Sequence, residues 1–166
     1  LLVASSPGTV WPEVVRVHMG EWTRNERGAL TGLKTTSYAE NVRALEAAHR
    51  RGASEALLTN TQGRLCEGTG TNVFLVVDGV LVTPPLSSGC LPGITRELVL
   101  ELADVVERDV DPREIAEASE AFLTSSTREV GAISAVDDTV LPEAPGLVTA
   151  GMAAAFARLV ATNPDP

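Results

Sequence analysis

Two apolar runs, Asn72 to Val77 and Val80 to Thr83, are separated by nothing but Asp78-Gly79, and this constrains the fold more than any other stretch of the chain. A two-residue Asp-Gly connection between strand-like runs favours a hairpin turn with both central residues at positive φ, because that turn twists in the same sense as the strands it joins. An antiparallel pair is therefore predicted here, and an all-helical fold is excluded. Further strands are predicted over Val14 to His18, Ala56 to Thr59, Arg64 to Cys66, Ala121 to Thr124 and Val130 to Val136, with a turn at Thr61-Gln62-Gly63. Between them, Val42, Leu45 and Ala48 recur at helical spacing within Tyr38 to Arg51, and Gly52 supplies the stop. Glu46 and Arg50 stand one turn apart on what should be the wet face of that helix. Arg96 to Ala103 and Leu147 to Val160 read as further helices. Asp111-Pro112-Arg113-Glu114 combines an N-cap acid, a proline at the first helical position and the Glu of a capping box, so a short helix is predicted there too. Strands in runs with helices interspersed predict an α+β (mixed α/β) domain and not a doubly wound sheet.

The chain has 166 residues, 44% apolar and 21% charged, enough for one domain with a real core. A formal charge of −9 without any Lys/Arg cluster argues against nucleic acid and anionic membrane surfaces as partners, since both need concentrated positive charge. A small molecule is the expected ligand. No apolar run approaches the ~20 residues of a membrane span and no basic start leads into an apolar signal segment, so a cytoplasmic location is expected. Cys66 and Cys90 lack CxxC spacing, and only His18 and His49 could join them. Neither a metal site nor a disulfide is expected, and both thiols read as buried small apolar groups. The opening Leu1 to Pro7 is apolar and lacks an initiating Met, which reads as part of something longer, and the tail Ala161 to Pro166 is expected to fray.

Against 12 arginines the chain carries one lysine, Lys34. An amine can shed its proton and attack a carbonyl, which a guanidinium cannot, so the lone lysine fits Schiff-base chemistry as well as it fits a leftover surface charge. Three other places could serve the same chemistry. Glu67 opens a turn of small residues, Glu67-Gly68-Thr69-Gly70-Thr71-Asn72. Gly93-Ile94-Thr95 begins a predicted helix, whose free N–H groups and dipole suit a phosphate. Thr124-Ser125-Ser126-Thr127, at a strand end, could add hydroxyls. Thr95 serves equally as an ordinary helix cap, and the Ser/Thr run as a polar turn. Together a reactive amine, a carboxylate and a phosphate cup are what pyridoxal 5′-phosphate (PLP) requires.

From about Leu33 to Val136, the stretches GLKTTSYAENV, EGTGTNVF, DGVLVTPPLSSGCLPGITREL and FLTSSTREV resemble, in order, the class IV aminotransferase family, PLP enzymes of fold type IV. That family includes branched-chain and D-amino-acid aminotransferases and aminodeoxychorismate lyase. The resemblance implies the C-terminal domain of that fold, a strand-rich barrel-like core with surrounding helices. It implies Lys34 as the catalytic, PLP-bearing lysine, Glu67 as partner of the pyridine nitrogen, and Gly93, Ile94, Thr95, Ser125 and Ser126 as phosphate holders. Tyr38 resembles a family tyrosine near the cofactor's phenolic oxygen, one residue closer to the lysine than in the branched-chain enzymes. Leu91 stands where members pack an aliphatic side chain on the ring. Residues 1–32 then read as interdomain linker and first strand, 33–160 as the PLP-binding domain and 161–166 as the tail. The family's N-terminal domain, source of a phosphate-binding arginine and much of the substrate pocket, is expected to be absent. The implied activity is amino-group transfer between an amino acid and a 2-oxo acid in a homodimer. KTTSYAEN resembles the lyase-like members, so conversion of aminodeoxychorismate to 4-aminobenzoate and pyruvate is the alternative, and a non-catalytic fragment is a third reading. Alone, the 166 residues are expected to bind PLP weakly.

Overall fold

In the computed structural model, which describes residues 11–163, the chain runs β1 (Val14–Arg24), α1 (Ala39–Arg50), β2 (Glu55–Asn60), β3 (Leu65–Gly68), β4 (Asn72–Val77) and β5 (Val80–Thr83). It continues through α2 (Ile94–Leu102), β6 (Val106–Glu107), β7 (Glu120–Ser125), β8 (Glu129–Val136), β9 (Thr139–Val140) and α3 (Leu147–Thr162). The opening Leu1 to Pro7 and the last three residues of the tail lie outside the described residues. Asp78 and Gly79 take φ of 51° and 76°, and β4 and β5 pair antiparallel across them with Val77 opposite Val80.

The strands form one sheet in the order β3-β2-β1-β8-β7-β4-β5-β6, with β9 on β8. β1 lies parallel to both β2 and β8, β5 is parallel to β6, and the remaining pairs are antiparallel. The sheet curls until its ends approach: the Leu65 N–H, on β3, donates to the Val110 carbonyl, just past β6, at 2.9 Å. Curling gives every central strand an inside and an outside. Val73, Leu75 and Val77 of β4 join Val15, Val17, Leu57, Leu123 and Ile133 in the interior. Phe74 and Val76, alternating with them, face outward and pack with Val99 of α2 and Met152 of α3. The Phe74 and Phe122 rings stack at 4.9 Å between centroids. Both faces of β4 are thus buried, which is why it reads as a continuous apolar run rather than an alternation.

Four expectations change. The apolar face of α1 was placed on Val42, Leu45 and Ala48, yet Val42 is 61% exposed and the buried face is Asn41, Ala44, Ala47 and Ala48. Ala44 and Ala48 pack on Ala53, Ala56 and Leu58, because small side chains let the helix lie close to the sheet. The capping box at Asp111 forms, with the Arg113 N–H donating to Asp111 at 3.0 Å and the Asp111 N–H to Glu114 at 2.8 Å. The turn it starts is a short 3-10 turn over Pro112–Ala116. β1 runs on to Arg24 instead of ending at His18. α3 runs on through Ala161 and Thr162 instead of ending at Val160, with Thr162 Oγ1 donating to the Arg158 carbonyl at 2.8 Å. Gly52 does end its helix: at φ 74° it lets its own N–H reach the His49 carbonyl and the Ala53 N–H reach that of Ala48, both at 3.0 Å.

Candidate functional site

Lys34 lies in the loop that links β1 to α1, and its Nζ stands 5.6 Å from the ring centre of Tyr38, the residue just before α1. Both open onto a cleft of about 1100 Å³. Glu67 enters it from β3, Leu91, Gly93, Ile94 and Thr95 from the loop before α2 and its first turn, and Ser125 and Ser126 from the end of β7. Every residue that the sequence offered for the cofactor therefore borders one cavity. They meet because β3 and the start of β4 flank the Glu67 turn, while pairing of Asn72 with Thr124 brings the end of β7 alongside.

A register shift in β3 pairs Leu65 with Thr59 but Glu67 with Leu58, so the bulge turns the Glu67 side chain off the interior face that Leu65 occupies. Its Oε2 accepts the Leu91 N–H at 2.8 Å, and its Oε1 pairs with Arg24 Nη2 at 3.0 Å. Burial pushes the carboxyl above its ordinary value, while the Leu91 N–H and the Arg24 guanidinium pull it back toward ionisation. Arg24 carried no signal in the sequence. It is one arginine among 12, and only the pairing of β1 with β2, and of β2 with β3, sets it beside Glu67.

The small residues after Glu67 are shaped by a second buried carboxylate. Glu55 accepts the Thr69 N–H at 3.0 Å, the Thr71 hydroxyl at 3.2 Å and the Thr69 hydroxyl. A Cβ on Gly68 would lie 2.1 Å from Thr71 Oγ1, so this turn admits only glycine there. Asn41, on the buried face of α1, donates to the Thr69 carbonyl at 2.5 Å and ties the loop bearing Lys34 and Tyr38 to the same turn.

At the other wall, Gly93 precedes α2 in an extended conformation and no side chain caps the helix. The first-turn donors of α2 are thus left for a ligand, at the positive end of the helix dipole. Thr124, also bordering the cleft, has a buried hydroxyl without a partner among the described residues. An uncapped helix start, an unpaired buried hydroxyl and a carboxylate held by two donors fit a ligand that carries a phosphate and a protonated ring nitrogen. Cys66 and Cys90 are free and buried, and burial raises both thiols above their ordinary values. Among the described residues no group of His, Cys, Asp and Glu could hold a metal ion, and no helix is long and apolar enough to cross a membrane.

One mixed sheet curled around an interior core, with helices outside, is the architecture of the fold type IV aminotransferases. The chain belongs to the amino-transferase class IV family, whose pattern it matches over residues 3–136. The branched-chain-amino-acid aminotransferase of Pseudomonas aeruginosa is 35% identical over 130 residues, which cover 74% of this chain and 42% of that protein. The branched-chain amino acid aminotransferase of Thermobaculum terrenum, solved in its PLP form, superposes with a TM-score of 0.85 at 35% identity, covering 89% of this chain and 51% of that one. A Legionella pneumophila protein assigned as a 4-amino-4-deoxychorismate lyase superposes with a TM-score of 0.86 at 27% identity, covering 90% of this chain and 57% of that one. The chain thus spans about two fifths to three fifths of the length of the relatives it matches.

Proposed function

We propose that these residues form the cofactor-binding part of a PLP-dependent aminotransferase that moves an amino group between an amino acid and a 2-oxo acid. The observation that carries this reading is the position of the only lysine, on one cleft with the paired carboxylate of Glu67 and the uncapped start of α2. Bound there, PLP would supply an electron sink for bond breaking at the amino acid's Cα. Lys34 Nζ, the chain's sole side-chain amine, would hold the cofactor through its carbonyl carbon and serve as the base and acid that moves the proton at Cα. Glu67, its two oxygens held by Arg24 and the Leu91 N–H, would face the ring nitrogen and hold a proton there. The Ile94 and Thr95 N–H groups at the start of α2, with the Thr95, Ser125 and Ser126 hydroxyls beside them, would take the phosphate. Tyr38 and Leu91, which border the same cleft, would lie at the phenolic oxygen and against the ring.

A lyase acting on aminodeoxychorismate is the second reading, supported by the Legionella neighbour and by KTTSYAEN. A cytoplasmic homodimer, with residues 33–160 as the PLP-binding domain, completes the proposal. The test has two arms. Borohydride reduction in the presence of PLP, followed by peptide mapping, should place a pyridoxyl adduct on Lys34 and none on Lys34→Ala. Leucine, glutamate or D-alanine should then convert bound PLP to pyridoxamine phosphate, with 2-oxoglutarate or pyruvate reversing the change. Formation of 4-aminobenzoate from aminodeoxychorismate without any 2-oxo acid, and no half-reaction with an amino acid of either hand, would replace the transaminase by the lyase.

A further inference from the structure

We propose that Asn72 is a positioning residue that sets the distance between Glu67 and the start of α2 by gripping the Leu91 backbone between them. This rests on the PLP reading for its purpose but not for its geometry. The Leu91 backbone is held on both sides of its Cα. Its N–H donates to Glu67 Oε2 at 2.8 Å, and its carbonyl accepts Asn72 Nδ2 at 2.9 Å and the Gly93 N–H at 2.8 Å. The residue two positions beyond Leu91 caps α2, so a shift of this one residue moves the phosphate-facing donors relative to the carboxylate. Asn72 itself is 5% exposed and is the first residue of β4, paired with Thr124 at the base of the Ser/Thr run. One amide thereby joins the strand after Glu67, the loop before α2 and the end of β7.

Gly93 supplies an independent reason. A Cβ built on it would stand 2.3 Å from Asn72 Oδ1, whereas its next neighbours lie at 3.5 Å and beyond. Asn72 is thus the obstacle that forbids a side chain at Gly93, and the same amide that grips Leu91 through Nδ2 rests its oxygen against the α2 cap. Glutamine would be too long for the gap, and aspartate would present a carboxylate oxygen to the Leu91 carbonyl.

The two halves of this contact predict a specific non-additivity. In the 166-residue chain, Asn72→Ala should weaken PLP affinity, followed by absorbance titration, about tenfold, or about 1.4 kcal/mol. Gly93→Ala should do the same by pushing Asn72 aside. In the Asn72→Ala background the added Gly93→Ala should cost less than twofold, because its obstacle is gone. Without PLP, amide hydrogen exchange at Leu91 and Gly93 should quicken at least tenfold in Asn72→Ala while Phe74 and Leu75 keep wild-type protection. A general loss of stability would quicken all of them together. Unchanged exchange at Leu91 and Gly93 overturns the proposal, as do additive losses in the double variant. If Asn72→Ala does not fold, Gly93→Ala decides alone by the same exchange. If wild type fails to bind PLP yet the exchange pattern appears, the positioning role stands and the cofactor reading falls.

Discussion

Glu67→Gln separates a carboxylate held as an anion from one that is merely buried. Glu67 receives one donor on each oxygen, the Leu91 N–H at 2.8 Å and Arg24 Nη2 at 3.0 Å. An amide has a single acceptor oxygen, so glutamine must turn its NH2 toward one of these donors. If it keeps Leu91, Arg24 loses its only ionic partner among the described residues while four-fifths buried, its side chain being 21% exposed. Loss of a charge-assisted hydrogen bond costs about 1.5–3 kcal/mol. Relief from burying a carboxylate offsets part of this, leaving a net destabilisation of about 1–2 kcal/mol. For a domain of this size that is a fall in Tm of about 2–8 °C, read by circular dichroism at pH 7 without cofactor. The same substitution leaves the ring nitrogen without its anion, so turnover should fall by orders of magnitude while PLP is retained, since each ~1.4 kcal/mol is tenfold in rate. A Tm within a degree of wild type would show that Arg24 and Leu91 do not hold an anion at this position. Near-normal kcat would make Glu67 a structural residue.

Two further outcomes follow from the fold. The Glu26 carboxylate accepts the Thr61 hydroxyl at 2.7 Å and the Thr61 N–H at 3.0 Å, bonds that hold it down to about 2 from the ordinary 4.5. A depressed carboxyl stabilises the fold above its unfolded value and ceases to do so as pH falls toward its folded value. Urea midpoints of wild type should therefore drop more steeply between about pH 4.5 and 2 than those of Glu26→Gln, and parallel curves would refute this. Phe74→Ala removes a fully buried ring stacked on Phe122 and should cost about 3–5 kcal/mol in urea unfolding. A loss under about 1 kcal/mol would mean that this layer repacks around the gap.

What the sequence disclosed was decided locally. Asp78-Gly79 and Gly52 need positive φ, and their residue types say so wherever the chain goes afterwards. Lys34, Glu67 and the residues around Gly93 and Ser126 were visible because a lone amine, an acid in a glycine-rich turn, a helix start behind a glycine and a Ser/Thr run are uncommon in combination. Features created by distant pairing were hidden. Arg24 meets Glu67 through two strand pairings that no local pattern encodes. The buried face of α1 was misplaced because Val42 and Leu45 outrank alanine in apolarity, whereas the close approach of helix to sheet selects the smaller residue. β9 escaped notice because its turn, Asp137-Asp138, lacks glycine; Asp137 adopts φ 50° while its carboxylate contacts His18 and the Met19 N–H.

The parallel seam between β1 and β8 also dictates when the cleft can come into being. It sets Val14 opposite Ala132, 118 residues later (132 − 14), and so joins the first described strand to the last but one. The β4–β5 hairpin can close within about 1–10 μs, but a contact of that sequence separation belongs to the slow regime of milliseconds to seconds. On a ribosome adding about 5–20 residues per second, β1 waits roughly 6–24 s with that edge unpaired before β8 has even been made. Lys34 and Glu67 are synthesised before the hydroxyls of Ser125 and Ser126, which arrive just ahead of the strand that completes the seam. The nascent chain therefore carries its amine for seconds before it has a finished pocket in which to use it.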